Sequence, residues 1–186
     1  DITNVKIDDN ITNRGYQKQA ITAICDRLNK RHRRGLLVMA TGTGKTYTAF
    51  QIVYRLLRSD LKKRILYLAD RNILVDQSIL QDFAPLEKTI YKVDFSDKEC
   101  LSKIASREVN FALYHQMVGQ NDEEHFKQIP AEYFDLIIVD ECHRGSAKED
   151  SNWRRVLEYF TSATQIGMTA TPKESEKVPM YSESAP

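Results

Sequence analysis

The sequence from Leu36 to Thr46 reads Leu-Leu-Val-Met-Ala-Thr-Gly-Thr-Gly-Lys-Thr. Its apolar start predicts a buried strand, and the small polar residues that follow predict a loop. After Thr46 the apolar residues recur at helical spacing. A strand, a glycine-rich loop and the start of a helix form the cradle that binds nucleotide phosphates in many proteins. The stretch therefore predicts a phosphate site at a junction between a strand and a helix.

The residues of this loop have separate expected roles. The backbone N–H groups around Gly42 to Gly44 can line an anion-binding nest, to which the N-terminus of the helix adds its own free N–H groups. Lys45 would reach the β- and γ-phosphates, and the Thr46 hydroxyl would bind Mg²⁺. Met39 stands where the usual pattern has glycine, while Gly44, Lys45 and Thr46 match it. We predict that the nucleotide site includes Thr41, Gly42, Thr43, Gly44, Lys45 and Thr46.

Composition predicts a globular protein of one domain. The chain has 186 residues, of which 41% are hydrophobic and 28% charged, with a net charge of +1. This balance does not indicate nucleic-acid binding, although a local basic surface is compatible with it. The sequence contains neither a membrane-length apolar run nor a signal-peptide pattern, and its three cysteines have neither disulfide nor metal-site spacing. We expect a cytoplasmic protein with reduced thiols and no membrane partner.

Apolar runs and helix-spaced segments alternate along the chain. Strands are predicted at 36–39, 64–69, 89–93, 111–114, 136–139 and 165–168, and helices at 20–28, 49–58, 73–83, 97–105 and 153–160. This alternation predicts an α/β domain with a mainly parallel sheet, at 14–172. Residues 1–13 and 173–186 are predicted to be linkers, the second leading to a missing domain. The cations from Arg31 to Arg34 are interpreted as a solvated loop that ends the first helix, with Gly35 as its cap.

Two acidic residues follow the clearest buried strand. Ligands gather beyond the carboxyl ends of parallel strands, and Asp140 directly follows the apolar run Leu136–Val139. An acid at this point can hold Mg²⁺ through water. Glu141 can orient and deprotonate an attacking water, as a general base does. Alternatively, two such acids can cap the N-terminus of the next helix.

Three motifs, in this order, carry a resemblance to a known superfamily. Thr-Gly-Thr-Gly-Lys-Thr, Asp-Glu-Cys-His and Thr-Ala-Thr resemble motifs I, II and III of superfamily 2 helicases and translocases. The resemblance covers Arg14 to Pro172 and implies the first of two RecA-like motor domains, a three-layer α/β/α P-loop NTPase fold. The segments Asp140–Gly145, Arg14–Ala20, Leu68–Arg71 and Leu74–Gln77 resemble the restriction subunit of type I restriction-modification enzymes.

The resemblance implies further residues of the ATP site. Gln17 matches the glutamine that binds the adenine edge, with Arg14 and Tyr16 beside it, and an amide can both donate to and accept from adenine. His143 matches a residue that links the nucleotide site to motif III. Otherwise Gln17 is a polar residue at a helix start, and a lone histidine is more often structural.

The resemblance also implies residues for coupling and for nucleic-acid binding. Thr169, Ala170 and Thr171 match the motif that couples hydrolysis to strand contacts, although they could instead form a strand-end turn. Contacts with the nucleic-acid backbone are implied for Arg71, Gln77, His115 and Gln116. Such contacts are independent of base sequence. Ordinary surface polarity is the alternative interpretation of these four residues.

The function that the resemblance implies is that of a motor hydrolase. The chain would be the ATP-binding domain of a DNA translocase in a type I restriction endonuclease, with modification and specificity subunits as partners. A second motor domain with its arginine finger, and an upstream nuclease domain, are expected elsewhere in the full-length chain, so the isolated fragment should be nearly inactive. The alternatives are another superfamily 2 helicase acting on DNA or RNA, such as a type III restriction subunit or a repair helicase, then a phosphotransferase, and then a nucleotide-binding module without hydrolysis.

Overall fold

Six parallel strands form a single sheet, as the alternating sequence predicts. A computed structural model describes residues 2, 5–7, 14–39, 45–69, 90–140 and 147–169, with the backbone alone at 45, 46 and 147–150. The strands are β1 (Arg34–Val38), β2 (Ile65–Ala69), β3 (Ile90–Lys92), β4 (Val109–Leu113), β5 (Leu136–Asp140) and β6 (Thr164–Thr169). Their order across the sheet is β1-β6-β5-β2-β4-β3, and every neighbouring pair is parallel.

Helices cover both faces of this sheet. They are α1 (Gly15–Asn29), α2 (Lys45–Arg58), α3 (Cys100–Ser106), α4 (Tyr114–Met117) and α5 (Ala147–Tyr159), with a 3₁₀ turn at His125–Gln128. The apolar stripes of α1 and α2, including Ile21 and Phe50, pack on one face against Ile138 and Met168. Helices α3 and α5 pack on the other face, where Trp153 is buried. The expected three-layer α/β/α arrangement is therefore confirmed.

The two central strands are buried on both faces. All five residues of β2 and all five of β5 are buried, which is the pattern expected of parallel strands covered by helices on each side. Successive residues of β5 point to opposite faces, so Leu136 and Ile138 join the α1–α2 core while Ile137 and Val139 join the α3–α5 core. This alternation decides which way the residue at the end of each strand points.

The end of the first helix differs from the sequence prediction. Helix α1 ends at Asn29, and Gly35 is not its cap but the second residue of β1. The N–H groups of Arg31 and His32 bond to the carbonyls of Leu28 and Arg27, with Arg31 at a φ of 63°. These bonds form a Schellman motif in which arginine takes the left-handed position that glycine usually occupies.

Other predicted boundaries shift by a few residues. Tyr114 was expected in a strand but begins α4, because the Gln116 side chain accepts a hydrogen bond from the Leu113 N–H at 3.0 Å and caps the helix. Helix α5 begins at Ala147, before the predicted start at residue 153. Its first turns are polar and lack apolar residues at helical spacing, so the sequence pattern does not reveal them. The predicted helix at 73–83 lies outside the described residues.

The start of the chain contacts the domain. Ile2 is fully buried, and the guanidinium of Arg55 donates to the carbonyls of Val5 and Ile2 at 2.9 and 3.0 Å. These hydrogen bonds attach the described residues that precede α1 to helix α2. Over the part of the chain that the structure describes, none of the helices has the length and apolar character needed to cross a membrane.

Candidate nucleotide-binding site

The sheet places the three strands that lead into the motifs side by side. Strand β6 lies between β1 and β5, with Val38 opposite Thr169 and Asp140 opposite Met168. The N–H of Met39 extends this pairing by donating to the Thr169 carbonyl at 2.9 Å. Because neighbouring strands are about 4.8 Å apart, the ends of β1 and β5 lie about 10 Å from each other. The three strands that lead into the motifs therefore end close together at the carboxyl edge of the sheet.

The alternation of side chains turns Asp140 towards the helix that follows the phosphate loop. Asp140 is two residues after Ile138, so the two side chains point to the same face, which is the face that α1 and α2 cover. Helix α2 begins at Lys45 and follows β1 at the same edge. The Asp140 carboxylate and the N-terminus of α2 consequently lie on one face at one edge, as the predicted Mg²⁺–phosphate site requires.

Asp140 is a buried acid with a defined partner. Its exposed fraction is 0%, and its Oδ2 accepts a hydrogen bond of 2.7 Å from the Tyr67 hydroxyl. Tyr67 lies on the neighbouring strand β2, and its ring stacks between Phe50 and Phe111. A buried carboxylate must be hydrogen-bonded, and Tyr67 meets part of that need. Sequence reasoning missed Tyr67, whose only signal is a hydroxyl in an otherwise apolar strand.

Thr169 ends the strand between the two other motif strands. It is 3% exposed, and its carbonyl is the acceptor for the Met39 N–H. The first residue of motif III is therefore hydrogen-bonded directly to Met39, which follows the strand that leads into motif I. Thr169 therefore lies between the strands that lead into motifs I and II. Its coupling role stays a prediction.

The residues expected near adenine lie at the start of α1. Four residues join α1 to β1, so the helix runs back along the strands and begins towards the carboxyl edge. Gln17 shares the buried stripe with Ile21 and is 5% exposed. Arg14 donates to the Tyr16 hydroxyl at 2.6 Å, and Tyr16 is 42% exposed. The structure brings these three residues together, and their contact with adenine stays a prediction.

Two residues expected to contact nucleic acid lie on α4, after β4 at the same edge. His115 is exposed, whereas Gln116 is half-buried and uses its amide oxygen to cap the helix. This oxygen therefore has a structural role that the sequence prediction did not include. The other predicted site residues lie outside the described residues, namely Thr41, Gly42, Thr43, Gly44, Arg71, Gln77, Glu141, His143, Ala170 and Thr171. The structure describes the backbone of Lys45 and Thr46 in the first turn of α2.

The arrangement fits ATP with Mg²⁺ by the chemistry of its donors. Carboxylate oxygen is a ligand that Mg²⁺ prefers, and Asp140 supplies one at the carboxyl end of a central strand. A helix N-terminus, which favours phosphate, begins on the same face.

Comparison with known proteins points to one family. Residues 10–174 match the family model described as "Type III restriction enzyme, res subunit". The endonuclease subunit of the type I restriction enzyme EcoAI from Escherichia coli is 54% identical over 166 residues, which are 89% of this chain and 20% of that subunit. The corresponding EcoKI subunit from Escherichia coli (strain K12) is 35% identical over 182 residues, covering 86% of this chain and 15% of that subunit.

A solved structure agrees with the sequence comparison. The fragment structure of a putative HsdR subunit of a type I restriction enzyme from Vibrio vulnificus YJ016 superposes with a TM-score of 0.67 at 36% identity, covering 90% of this chain and 28% of that one. The chain spans about a fifth of the length of the curated relatives that it matches. The RecA-like fold and the resemblance to type I restriction subunits are both confirmed. The chain belongs to the family described as the res subunit of type III restriction enzymes, within the superfamily 2 motor domains.

Proposed function

We propose that this chain is the ATP-binding first motor domain of a DNA translocase, within the endonuclease subunit of a type I restriction system. The adjacency of β1, β6 and β5 supports the proposal, because the strands that lead into motifs I, III and II are neighbours in the sheet. A nucleotide bound at their carboxyl edge would touch all three motifs. The family and the relatives support the same assignment.

The residues at this edge divide the work of hydrolysis between them. The amides from Gly42 to Gly44 and the Lys45 ammonium would hold the phosphates, while Thr46 and Asp140 would hold Mg²⁺. Bound ATP with Mg²⁺ supplies the phosphoanhydride bond whose hydrolysis drives movement. Glu141 would accept the proton of the attacking water. His143 would be hydrogen-bonded between this site and motif III.

The remaining predicted residues would bind adenine, couple the nucleotide site to DNA, or bind the DNA backbone. Gln17 would read the adenine edge, with Arg14 and Tyr16 beside it. Thr169, Ala170 and Thr171 would transmit the state of the nucleotide site to the DNA-binding surface. That surface would include Arg71, Gln77, His115 and Gln116, which would bind the DNA backbone without reading its sequence.

The length of the relatives supports the presence of additional domains in the full-length protein. Curated relatives are about five times longer than this chain, which leaves room for a second motor domain with an arginine finger and for a nuclease domain. We propose a cytoplasmic complex with modification and specificity subunits. Residues 1–186 alone should then hydrolyse ATP very slowly, because arginine fingers contribute about 10³- to 10⁵-fold to the rate.

ATP hydrolysis by the full-length subunit in its complex tests the proposal. DNA should stimulate hydrolysis, and Glu141→Gln should bind ATP yet lower the rate by about 100-fold or more, since a general base contributes at least that much. Lys45→Ala should weaken nucleotide binding. Lys63→Ala is the matched control, because Lys63 is 67% exposed at the opposite edge of the sheet. Hydrolysis that survives both Lys45→Ala and Glu141→Gln would refute the proposal.

The nucleic acid that stimulates hydrolysis separates the main alternative. A DNA translocase should respond to duplex DNA and not to RNA of the same length. Stimulation by RNA alone would assign the chain to an RNA helicase, with the ATP site unchanged.

A further inference from the structure

We propose that Tyr67 is a positioning residue for Asp140, holding its carboxylate in the orientation needed to bind Mg²⁺. This inference rests on the proposed function, because it presumes that Asp140 is the metal-binding acid. Tyr67 belongs to none of the three motifs and comes from a different strand, β2. It would act on the metal only through Asp140.

The contact between the two side chains has the geometry of a strong hydrogen bond. The Tyr67 hydroxyl lies 2.7 Å from Oδ2 of Asp140, and both side chains are buried. A hydrogen bond to a carboxylate is shorter and stronger than one between neutral groups. A fixed donor on one oxygen restricts the rotation of the carboxyl group about its last bond and so favours one orientation of the whole group.

The hydroxyl itself is held in place by the packing of its ring. The Tyr67 ring is 1% exposed, and its centroid lies 5.8 Å from that of Phe50 and 5.5 Å from that of Phe111. The interplanar angles of 11° and 18° show that all three rings are nearly parallel. Phe50 belongs to α2 and Phe111 to β4, so the ring is clamped by the helix of motif I and by a neighbouring strand. A clamped ring gives its hydroxyl a single position.

Packing alone does not account for the hydroxyl. Phenylalanine would fill this apolar layer equally well, and a hydroxyl buried without a partner costs free energy. Here the hydroxyl donates to Asp140, the last residue of β5. Partners in the second coordination layer of a metal site commonly orient the ligands in this way, and their loss weakens metal binding by about 10- to 100-fold.

Tyr67→Phe tests the inference because it removes the hydroxyl and keeps the ring stack. In the full-length complex, binding of a fluorescent non-hydrolysable ATP analogue would be followed as Mg²⁺ is titrated, together with the Mg²⁺ dependence of ATP hydrolysis. We expect the half-saturating Mg²⁺ concentration to rise about 10-fold in both measurements. Nucleotide binding without Mg²⁺ should stay at the wild-type level.

Tyr159→Phe is the matched control. The Tyr159 hydroxyl donates to the Ile129 carbonyl at 2.6 Å, at the end of α5 and away from the carboxyl edge. Both variants lose one short hydrogen bond, so a general loss of stability would affect both. Only Tyr67→Phe should shift the Mg²⁺ dependence.

Asp140→Asn separates failure of this inference from failure of the proposed function. If Asp140→Asn abolishes hydrolysis while Tyr67→Phe leaves the Mg²⁺ titration unchanged, the positioning role of Tyr67 is wrong and the proposed function stands. If Asp140→Asn hydrolyses ATP at the wild-type rate, the proposed function itself is wrong. A Tyr67→Phe protein that is merely less stable, with an unshifted titration, also overturns the inference.

Discussion

The two ends of β5 carry the same residue type in two different roles. Asp135 directly precedes the strand, and Asp140 is its last residue. Asp135 accepts hydrogen bonds from the backbone N–H groups of Lys63 and Arg64 at 2.8 and 3.1 Å. Asp140 accepts one from a buried tyrosine, beside the strand ends that lead into motifs I and III. The edge of the sheet, rather than the residue type, separates a structural carboxylate from a candidate metal ligand.

At the amino edge of the sheet, where the strands begin, polar side chains form hydrogen bonds between neighbouring connections. Arg33 donates to the Thr161 carbonyl at 2.7 Å, and Lys62 donates to the Thr164 hydroxyl at 3.0 Å. Burial, and to a smaller extent the nearby charge of Arg33, lowers the pKa of Lys62 from its usual value, which Asp135 partly opposes. Arg33 and Lys62 therefore bond within the domain. Arg34, the last cation of the run predicted as a loop, lies instead in β1, and the absence of a nucleic-acid contact by this run stays a prediction.

The two edges of the sheet differ in the motif residues that their connections carry. The connections at the amino edge before β1 and β6 contain four residues each, 30–33 and 160–163. At the carboxyl edge, the six-residue connections that follow β1 and β5 carry most of motif I and of motif II. Binding residues concentrate in loops that a rigid sheet positions. The contrast teaches that function should be sought where parallel strands end.

The largest effect should follow from neutralising the acid at the carboxyl edge. Asp140→Asn in the full-length complex should lower ATP hydrolysis by about 100-fold or more, because the charge facing Mg²⁺ is lost. The amide oxygen can still accept from Tyr67, so the protein should remain folded. Steady-state ATPase assays and thermal unfolding by circular dichroism would measure the two effects. An unfolded variant would show that Asp140 is mainly structural and would remove the contrast between the edges.

At the amino edge, we expect a smaller effect, which lowers stability and leaves hydrolysis unchanged. Asp135→Ala removes the acceptor for two backbone N–H groups and should lower the free energy of unfolding by about 1 kcal/mol. Hydrolysis measured below the unfolding temperature should stay at the wild-type level. Urea denaturation would measure the loss, with the exposed neighbour Glu132→Ala as control. Loss of hydrolysis in a fully folded Asp135→Ala protein would contradict the division between the edges.

The smallest effect should come from an ion pair on the connection between β4 and β5. Hydrogen bonds from Lys127 and then Arg155 lower the pKa of Glu124 below its usual 4.5. Because this pKa is lower in the folded than in the unfolded state, the stabilisation is present above pH 4.5 and is lost as the pH falls through the folded value. Glu124→Gln should therefore be slightly less stable than wild type at pH 7, and the two should converge in acid.

Denaturation at a series of pH values would check this convergence. Glu132→Gln serves again as an exposed control, and its stability should follow that of wild type throughout. A stability difference for Glu124→Gln that persists at the acidic end would show that packing, and not charge, gives Glu124 its role.

Much of the fold could be predicted because the relevant signals are local. The apolar runs of β2 and β5 identified buried parallel strands, and the position of Asp140 after such a run identified a strand-end acid. Tyr114 and Gly35 were misassigned because a side-chain cap and a left-handed arginine decided those boundaries. Neither has a strong local signature, since glutamine and arginine occur in many other settings.

By itself, the sequence determined the α/β class, the strand ends that carry motifs I, II and III, and the residue types available for binding a nucleotide. These follow from periodicity and from chemistry written along the chain. The tertiary structure alone decided that β1, β6 and β5 are neighbours, although β1 and β6 are far apart in sequence. It alone also placed the Tyr67 hydroxyl on Asp140, across a separation of 73 residues. Pairing between distant strands depends on how two whole faces are covered by helices, and no local pattern encodes that.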